Sequence, residues 1–236
     1  MGLHIDNLTA GYAGQTVVSD LTFAVPAGRI VALIGLNGAG KSTTLKQVIG
    51  LKRPLAGSLT LDEFSLEENP AAYKNELAYI PEQPVLYDEL TLDEHLHLVL
   101  AAHKQDDAAH WARVEELLAL FRLTGKGHWL PVHFSKGMRQ KVMLVSAFAL
   151  DTKLLVIDEP FLGLDVLAQK QLIDLMKERA AAGTAVLLTT HLLSQASAYV
   201  DDFALLEEGR LSFFGSAEAL ASSHHLSESD LDALFS

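Results

Sequence analysis

Cysteine is absent from this 236-residue chain. No disulfide and no thiolate-ligated metal can form, and the composition suits a reducing compartment. Long apolar runs are missing too: stretches such as residues 142–150 fall far below the ~20 residues that a membrane span requires. The N-terminus, Met1-Gly2-Leu3-His4-Ile5-Asp6, shows no basic region followed by an apolar one, so no signal peptide is expected. These absences predict a chain that is soluble by itself, though still able to dock on a membrane protein. Positive charge is scarce. Eighteen Lys and Arg stand against 30 Asp and Glu, a formal net charge of −12, which argues against nucleic-acid binding through a broad basic face. No internal repeat and no low-complexity linker interrupts the chain.

What is present is apolar and patterned. Hydrophobic residues make up 49% of the sequence, enough for a real core in one large α/β domain or two small ones. The run Gly35-Leu36-Asn37-Gly38-Ala39-Gly40-Lys41-Ser42-Thr43 fits the phosphate-binding pattern of Gly, four free positions, then Gly-Lys-Ser/Thr. At average residue frequencies this pattern arises by accident in roughly one chain in a hundred of this size. The context narrows that further, because residues 29–34 read as a buried strand and residues 42–49 as a helix. The motif implies a nucleoside triphosphate with Mg²⁺. Glycines let backbone N–H groups face the phosphates, the helix N-terminus favours negative charge, Lys41 adds a point charge and Ser42 offers a hydroxyl to the metal.

Elsewhere the pattern alternates. Residues 3–5, 16–18 and 23–25 read as short antiparallel strands with a turn near residues 11–14. Residues 57–61 and 77–80 read as further strands, residues 92 to about 123 as helical, and residues 141–150 as another helix. His95, His97, His103 and His110 fall in the long helical stretch; their spacing is not that of a tight metal site, and neighbouring acids and Gln suggest a solvated face. A buried strand at 154–157, an amphipathic helix at 166–182, a strand at 185–190 and a hairpin at 203–214 follow. Strands alternating with helices predict a mostly parallel sheet wrapped by helices. Residues 84 to about 150 read as an inserted helical subdomain. The tail, residues 216–236, alternates small, acidic and leucine residues and reads as a partner-binding helix or as a solvated acidic cap.

Leu154-Leu155-Val156-Ile157-Asp158-Glu159 is an apolar strand ending in two carboxylates. Strand C-termini face the ligand crevice of an open parallel sheet. Asp158 is thus placed to hold Mg²⁺ through water, and Glu159 to accept a proton from an attacking water. His191, ending the strand Leu187-Leu188-Thr189-Thr190, is at the same crevice, either as a structural residue or in contact with a γ-phosphate.

The phosphate loop, the helix start Phe134-Ser135-Lys136-Gly137-Met138-Arg139-Gln140-Lys141, Asp158-Glu159, Gly163-Leu164-Asp165 and His191, in that order, resemble the ATP-binding subunit of ATP-binding-cassette (ABC) transporters. The similarity covers nearly the whole chain, residues 1–236, as one such domain. Runs such as Tyr79-Ile80-Pro81-Glu82 and Asp158-Glu159-Pro160-Phe161-Leu162-Gly163-Leu164-Asp165 make it similar in particular to the ATPase subunits of Ecs-type bacterial exporters.

The resemblance implies a P-loop NTPase core, an antiparallel β subdomain and a helical subdomain. It implies ATP and Mg²⁺ as ligands, with Lys41, Glu159 and His191 in catalysis. The loop Gly35, Asn37, Gly38, Ala39, Gly40, Lys41, Ser42 and Thr43 would bind ATP, with Tyr12 either stacking on adenine or serving as a turn residue. Ser42, Asp158 and Glu82 would meet the metal. Ser135, Lys136, Gly137 and Met138 would act in trans on ATP held by a second subunit, and Asp165 would lie at the dimer interface. Two departures stand out. The family signature Leu-Ser-Gly-Gly-Gln reads Phe134-Ser135-Lys136-Gly137-Met138 here, where Lys136 either contacts phosphate or faces solvent. The usual coupling glutamine aligns with Glu82, while Gln83 follows it. The implied protein is an active ATPase subunit of an exporter, peripheral on the cytoplasmic face of a bacterial membrane. Its partners would be a separate transmembrane subunit, docking near residues 84–90, and a second ATPase subunit, one motif set allowing a homodimer. A soluble ABC-type ATPase in cofactor assembly, repair or translation is the alternative.

Overall fold

The computed structural model describes residues 1–12 and 14–235. Ala13, inside the turn expected at residues 11–14, and Ser236, the last residue of the tail, lie outside the described residues. The chain begins with two long strands, β1 (Gly2–Tyr12) and β2 (Gln15–Pro26), then β3 (Ile30–Ile34) and α1 (Lys41–Val48). Next come β4 (Ala56–Leu61), β5 (Phe64–Ser65), α2 (Pro70–Asn75) and β6 (Leu77–Ile80). The helical unit holds α3 (Leu92–Ala102), α4 (Ala108–Leu120), a 3₁₀ turn (Pro131–His133) and α5 (Lys136–Phe148). The chain returns through β7 (Leu154–Ile157), α6 (Val166–Ala181), β8 (Ala185–Thr189) and α7 (Leu193–Ala196). It ends with the hairpin β9 (Asp202–Glu207) and β10 (Arg210–Gly215), α8 (Ala217–Ser223) and a 3₁₀ segment (Glu228–Phe235).

Two sheets form. The central one has the order β10-β9-β3-β8-β7-β6, with every neighbouring pair parallel except β10 on β9. The second is antiparallel, β2-β1-β4-β5. Strand alternation decides how they stack. Ile30, Ala32 and Ile34 of β3 face one way, into a core shared with α3–α6. Val31 and Leu33 face the other way, into a core shared with Leu3, Ile5 and Leu21 of the antiparallel sheet and Leu45 of α1. With both faces covered, β3, β7 and β8 are apolar at nearly every position, as buried parallel strands must be. All three strands therefore deliver their C-terminal ends to one edge.

The first strands are much longer than their short apolar runs suggested, because pairing continues through irregular register shifts in β1. The helical stretch from residue 92 is two helices, not one. Lys104 takes a left-handed conformation (φ 59°), and Asp107 caps α4 by accepting from Ala109 N and His110 N. The solvated histidine face holds for His97, which is exposed, but not for His95. His95 is buried, its Nε2 accepting from Tyr87 N (2.7 Å) while Nδ1 lies 2.8 Å from Thr91 O. The tail docks on the domain: Leu220 and Leu231 are fully buried, and Ser194 Oγ donates to Ser229 O (2.9 Å).

Candidate functional site

The site grows from the loop between β3 and α1. Gly35 (φ 151°) leaves the strand in a conformation L side chains rarely adopt, and a Cβ there would collide with the Leu206 carbonyl. Gly40 (φ 109°) is the N-cap of α1, and a Cβ there would lie 2.7 Å from Val18 Cγ2. Glycine at these two positions is thus a packing requirement. No side chain caps α1. Its first-turn N–H groups are left to an external acceptor, and an anion is what a helix N-terminus favours. Lys41 Nζ donates to Gly35 O (2.6 Å) and Leu36 O (3.2 Å). Burial pulls the Lys41 ammonium below its usual range, against the opposing pull of Glu159 and Asp158.

The acidic pair follows β7. Asp158 N donates to Ile80 O (2.9 Å), continuing the ladder with β6. Thr189, at the end of β8, ties the pair down: its Oγ1 donates to Asp158 Oδ1 (2.6 Å) and accepts from Glu159 N (3.0 Å). Glu159 sits at φ 45°, a left-handed conformation that costs a non-glycine residue about 1 kcal/mol or more. Its Oε1 lies 3.1 Å from His191 Nε2, outside hydrogen-bond geometry. Burial first, then the neighbouring Asp158, pushes the Glu159 carboxyl up to about 7. His191 moves the other way, lowered by burial and by Lys41 against the opposing effect of Glu82. An acid and an imidazole driven apart by their surroundings, beside a fixed carboxylate, suit proton transfer.

Ten expected residues share one cleft of about 220 Å³: Asn37, Gly38, Gly40, Lys41, Ser42, Thr43, Glu82, Asp158, Glu159 and His191. Val17 lines it as well and was not anticipated. Gly35 and Ala39 are buried and do not line it. Tyr12 is outside the lining, 36% exposed at the end of β1, with Lys46 Nζ and Lys52 Nζ 5.8 and 5.7 Å from its ring centre. Glu82 lines the cleft and Gln83 does not.

The Ser135–Met138 segment is also elsewhere. Ser135 caps α5, its Oγ accepting from Met138 N (3.2 Å), and both Ser135 and Lys136 are exposed. A Cβ on Gly137 would stand 2.8 Å from Gly163 O, so this turn packs directly on the loop leading to Asp165. Asp165 caps α6 through Ala168 N and pairs with Lys141 Nζ (2.8 Å), which holds its carboxyl below the usual range. Sequence reasoning missed Thr189 and Lys141. A hydroxyl two residues before a strand-end histidine was the available signal for the first.

A phosphate loop and an acidic strand end on one edge of this two-sheet, helix-inserted scaffold define an ATPase of the ABC class, and the chain belongs to that family. The family profile described as "ABC transporter" matches residues 18–162. The chain is similar to the ABC-type transporter ATP-binding protein EcsA of Bacillus subtilis, 42% identical over 99% of this chain and 94% of the relative. It is also similar to the SkfA peptide export ATP-binding protein SkfE of Bacillus subtilis, 31% identical over 89% of this chain and 87% of the relative. A solved ATP-binding subunit of an ABC transporter superposes with a TM-score of 0.94 at 46% identity, covering 99% of this chain and 98% of that one. The chain is therefore an ATP-binding, ATP-hydrolysing subunit of an ABC transporter.

Proposed function

We propose that two copies of this chain close on ATP at the cytoplasmic face of a bacterial membrane and drive a separate transmembrane subunit that exports its cargo. The observation that carries the reading is a divided site. One cleft gathers Lys41, Ser42, Asp158, Glu159 and His191, while Ser135–Met138 present an exposed helix N-terminus away from it. A second copy can supply that segment to the γ-phosphate, using the Ser135 hydroxyl and the first N–H groups of α5. Lys136 extends its stem along Gly163 and carries its charge at the surface, where a partner's phosphate can meet it.

Within one cleft, the loop 35–43 holds the phosphates and Lys41 neutralises their outer charge. Tyr12 carries the base, its ring flanked by two lysines. Glu159 accepts the proton of the attacking water, and His191 aligns that water with the γ-phosphate. The oxygen donors Ser42 Oγ, Asp158 through water, and Glu82 suit Mg²⁺, which binds through one or two carboxylates plus phosphates and water. Mg²⁺ bound there supplies charge neutralisation during phosphoryl transfer. Gln83, next to Glu82 but outside the cleft, marks where the chain turns toward the helical unit. Residues 84–90 follow, with Val85 70% and Tyr87 60% exposed, and we assign this surface to the transmembrane subunit. Export, rather than import, draws on the similarity to EcsA and SkfE, the second of which is named for peptide export.

The test is to trap the Glu159→Gln protein with ATP in native membranes, solubilise it and identify what co-purifies. A polytopic membrane protein in fixed stoichiometry is expected. A purely soluble dimer, or a cytosolic partner alone, would sink the exporter reading and leave the ATPase chemistry standing.

A further inference from the structure

A second hollow, larger than the nucleotide cleft, lies elsewhere on the molecule. A cavity of about 530 Å³ lies between the loop after α1, the start of β4 and the segment running into α2. Its walls carry Lys52, Arg53 and Lys74. In a chain of net charge −12, three cations in one hollow is a local reversal of sign. Against them the lining holds one carboxylate, Glu67. None of the three cations makes an ion pair within 4.0 Å among the described residues; Lys52 lies over the Tyr12 ring, 5.7 Å from its centre. The same cavity offers apolar surface. Leu66 is half-buried in it, and Leu55 is left 64% exposed.

The loop that carries two of these cations is held in place. Leu51 N and Lys52 N both donate to Lys46 O (2.9 and 3.2 Å), and Leu55 N donates to Thr9 O (2.8 Å). The buried Gln47 side chain, its amide nitrogen turned to the loop, donates to Lys52 O (2.9 Å) and Arg53 O (3.3 Å). Gly50 makes room for Lys74 across the mouth: a Cβ there would fall 2.6 Å from Lys74 Cε. Exposed, unpaired cations, two of them on a hydrogen-bonded loop, beside a partly apolar wall match a ligand with one concentrated anionic end and one apolar part.

We propose that this cavity binds a phosphorylated organic ligand, with the phosphoryl group on Lys52, Arg53 and Lys74 and the apolar part on Leu55 and Leu66. The phosphoryl group belongs either to a free phosphomonoester or to a lipid headgroup, and the two sources are separable.

The full chain is titrated with phenyl phosphate by calorimetry, with the phosphate loop saturated by ADP and Mg²⁺. In parallel it is sedimented with vesicles of phosphatidylcholine, with and without phosphatidic acid. Arg53→Gln and Lys74→Gln are the test variants, because Lys52 also approaches Tyr12 and would perturb the base end of the cleft. Binding of at least one probe in the presence of ADP is expected, weakened about tenfold by each substitution, as loss of one charge-assisted hydrogen bond implies. Both variants keep the parent's melting temperature and ATPase rate. Phenyl phosphate alone identifies a soluble ligand; phosphatidic acid vesicles alone identify a headgroup. Binding abolished by ADP, binding indifferent to both substitutions, or no binding of either probe would each overturn the proposal. None of these readouts depends on whether Glu159 is the base, so this site and the ATPase reading fail separately.

Discussion

Replacing Glu159 with Gln separates the chemistry of the cleft from its stability. The carboxyl, only 16% exposed, is pushed up to about 7 by burial and by Asp158. As a base it must be ionised. It is about one-tenth ionised at pH 6 and about nine-tenths at pH 8, so the hydrolysis rate rises roughly tenfold across that window.

The stability consequence has the opposite sense. A carboxyl whose folded value is raised above its unfolded 4.5 binds its proton more tightly in the native state, so native stability falls as pH climbs from about 4.5 to about 7. The displacement corresponds to about 3 kcal/mol, and screening through the open mouth of the cleft leaves about 2. Glu159→Gln therefore stabilises the protein most at pH 8 and least near pH 5. At about 2–4 °C per kcal/mol for a chain of this size, Tm rises by several degrees at the higher pH. Hydrolysis falls by about 10²–10⁴-fold, the ordinary contribution of a general base. Calorimetry and a coupled phosphate-release assay across pH 5–8 make the test. A wild-type rate flat through pH 7, or a Tm gain no larger at pH 8 than at pH 5, would refute the reasoning.

Thr189→Val keeps the shape of the β8 end but removes the hydroxyl that bridges Asp158 and Glu159. Hydrolysis should fall about tenfold while ATP binding holds, for a hydrogen-bond loss of about 1–3 kcal/mol, measured by turnover and by nucleotide titration. Gly137→Ala puts a methyl 2.8 Å from Gly163 O and shifts the turn that presents Ser135. ATP-dependent pairing in analytical ultracentrifugation should be lost, with nucleotide binding by the single chain intact. Val85→Glu with Tyr87→Glu should abolish membrane association in a flotation assay and leave ATP binding unchanged.

Much of the cleft could be read in advance because its parts are local. Gly35 to Thr43 is a single run, and Asp158-Glu159 ends an apolar strand whose burial on both faces forbids alternation. What resisted reading is non-local or lacks a distinctive residue. Thr189 looked like an ordinary β-branched strand residue, and only the packing of β8 beside β7 turns its hydroxyl toward Asp158. The break between α3 and α4 carries neither Gly nor Pro: Lys104 supplies the left-handed residue, and Asp107 was the one cap signal. His95 lies among acids in sequence. The capping box of Thr91 and Glu94 fixes the start of α3, and His95 turns inward to meet the Tyr87 backbone. Burial of the tail depends on Leu231 meeting α7, a contact between segments more than thirty residues apart.

The distance between the nucleotide cleft and the Ser135 turn carries a kinetic consequence. Where a second copy must complete the site, the reaction is second order in protein: dilute chains meet rarely and hydrolyse slowly however much ATP is present. Anchoring two copies beneath one membrane partner replaces that bulk concentration with a local one, in the millimolar range for short tethers. Unassembled subunits then stay nearly idle. On the two-copy arrangement proposed above, ATP is consumed mainly where there is a transporter to use it.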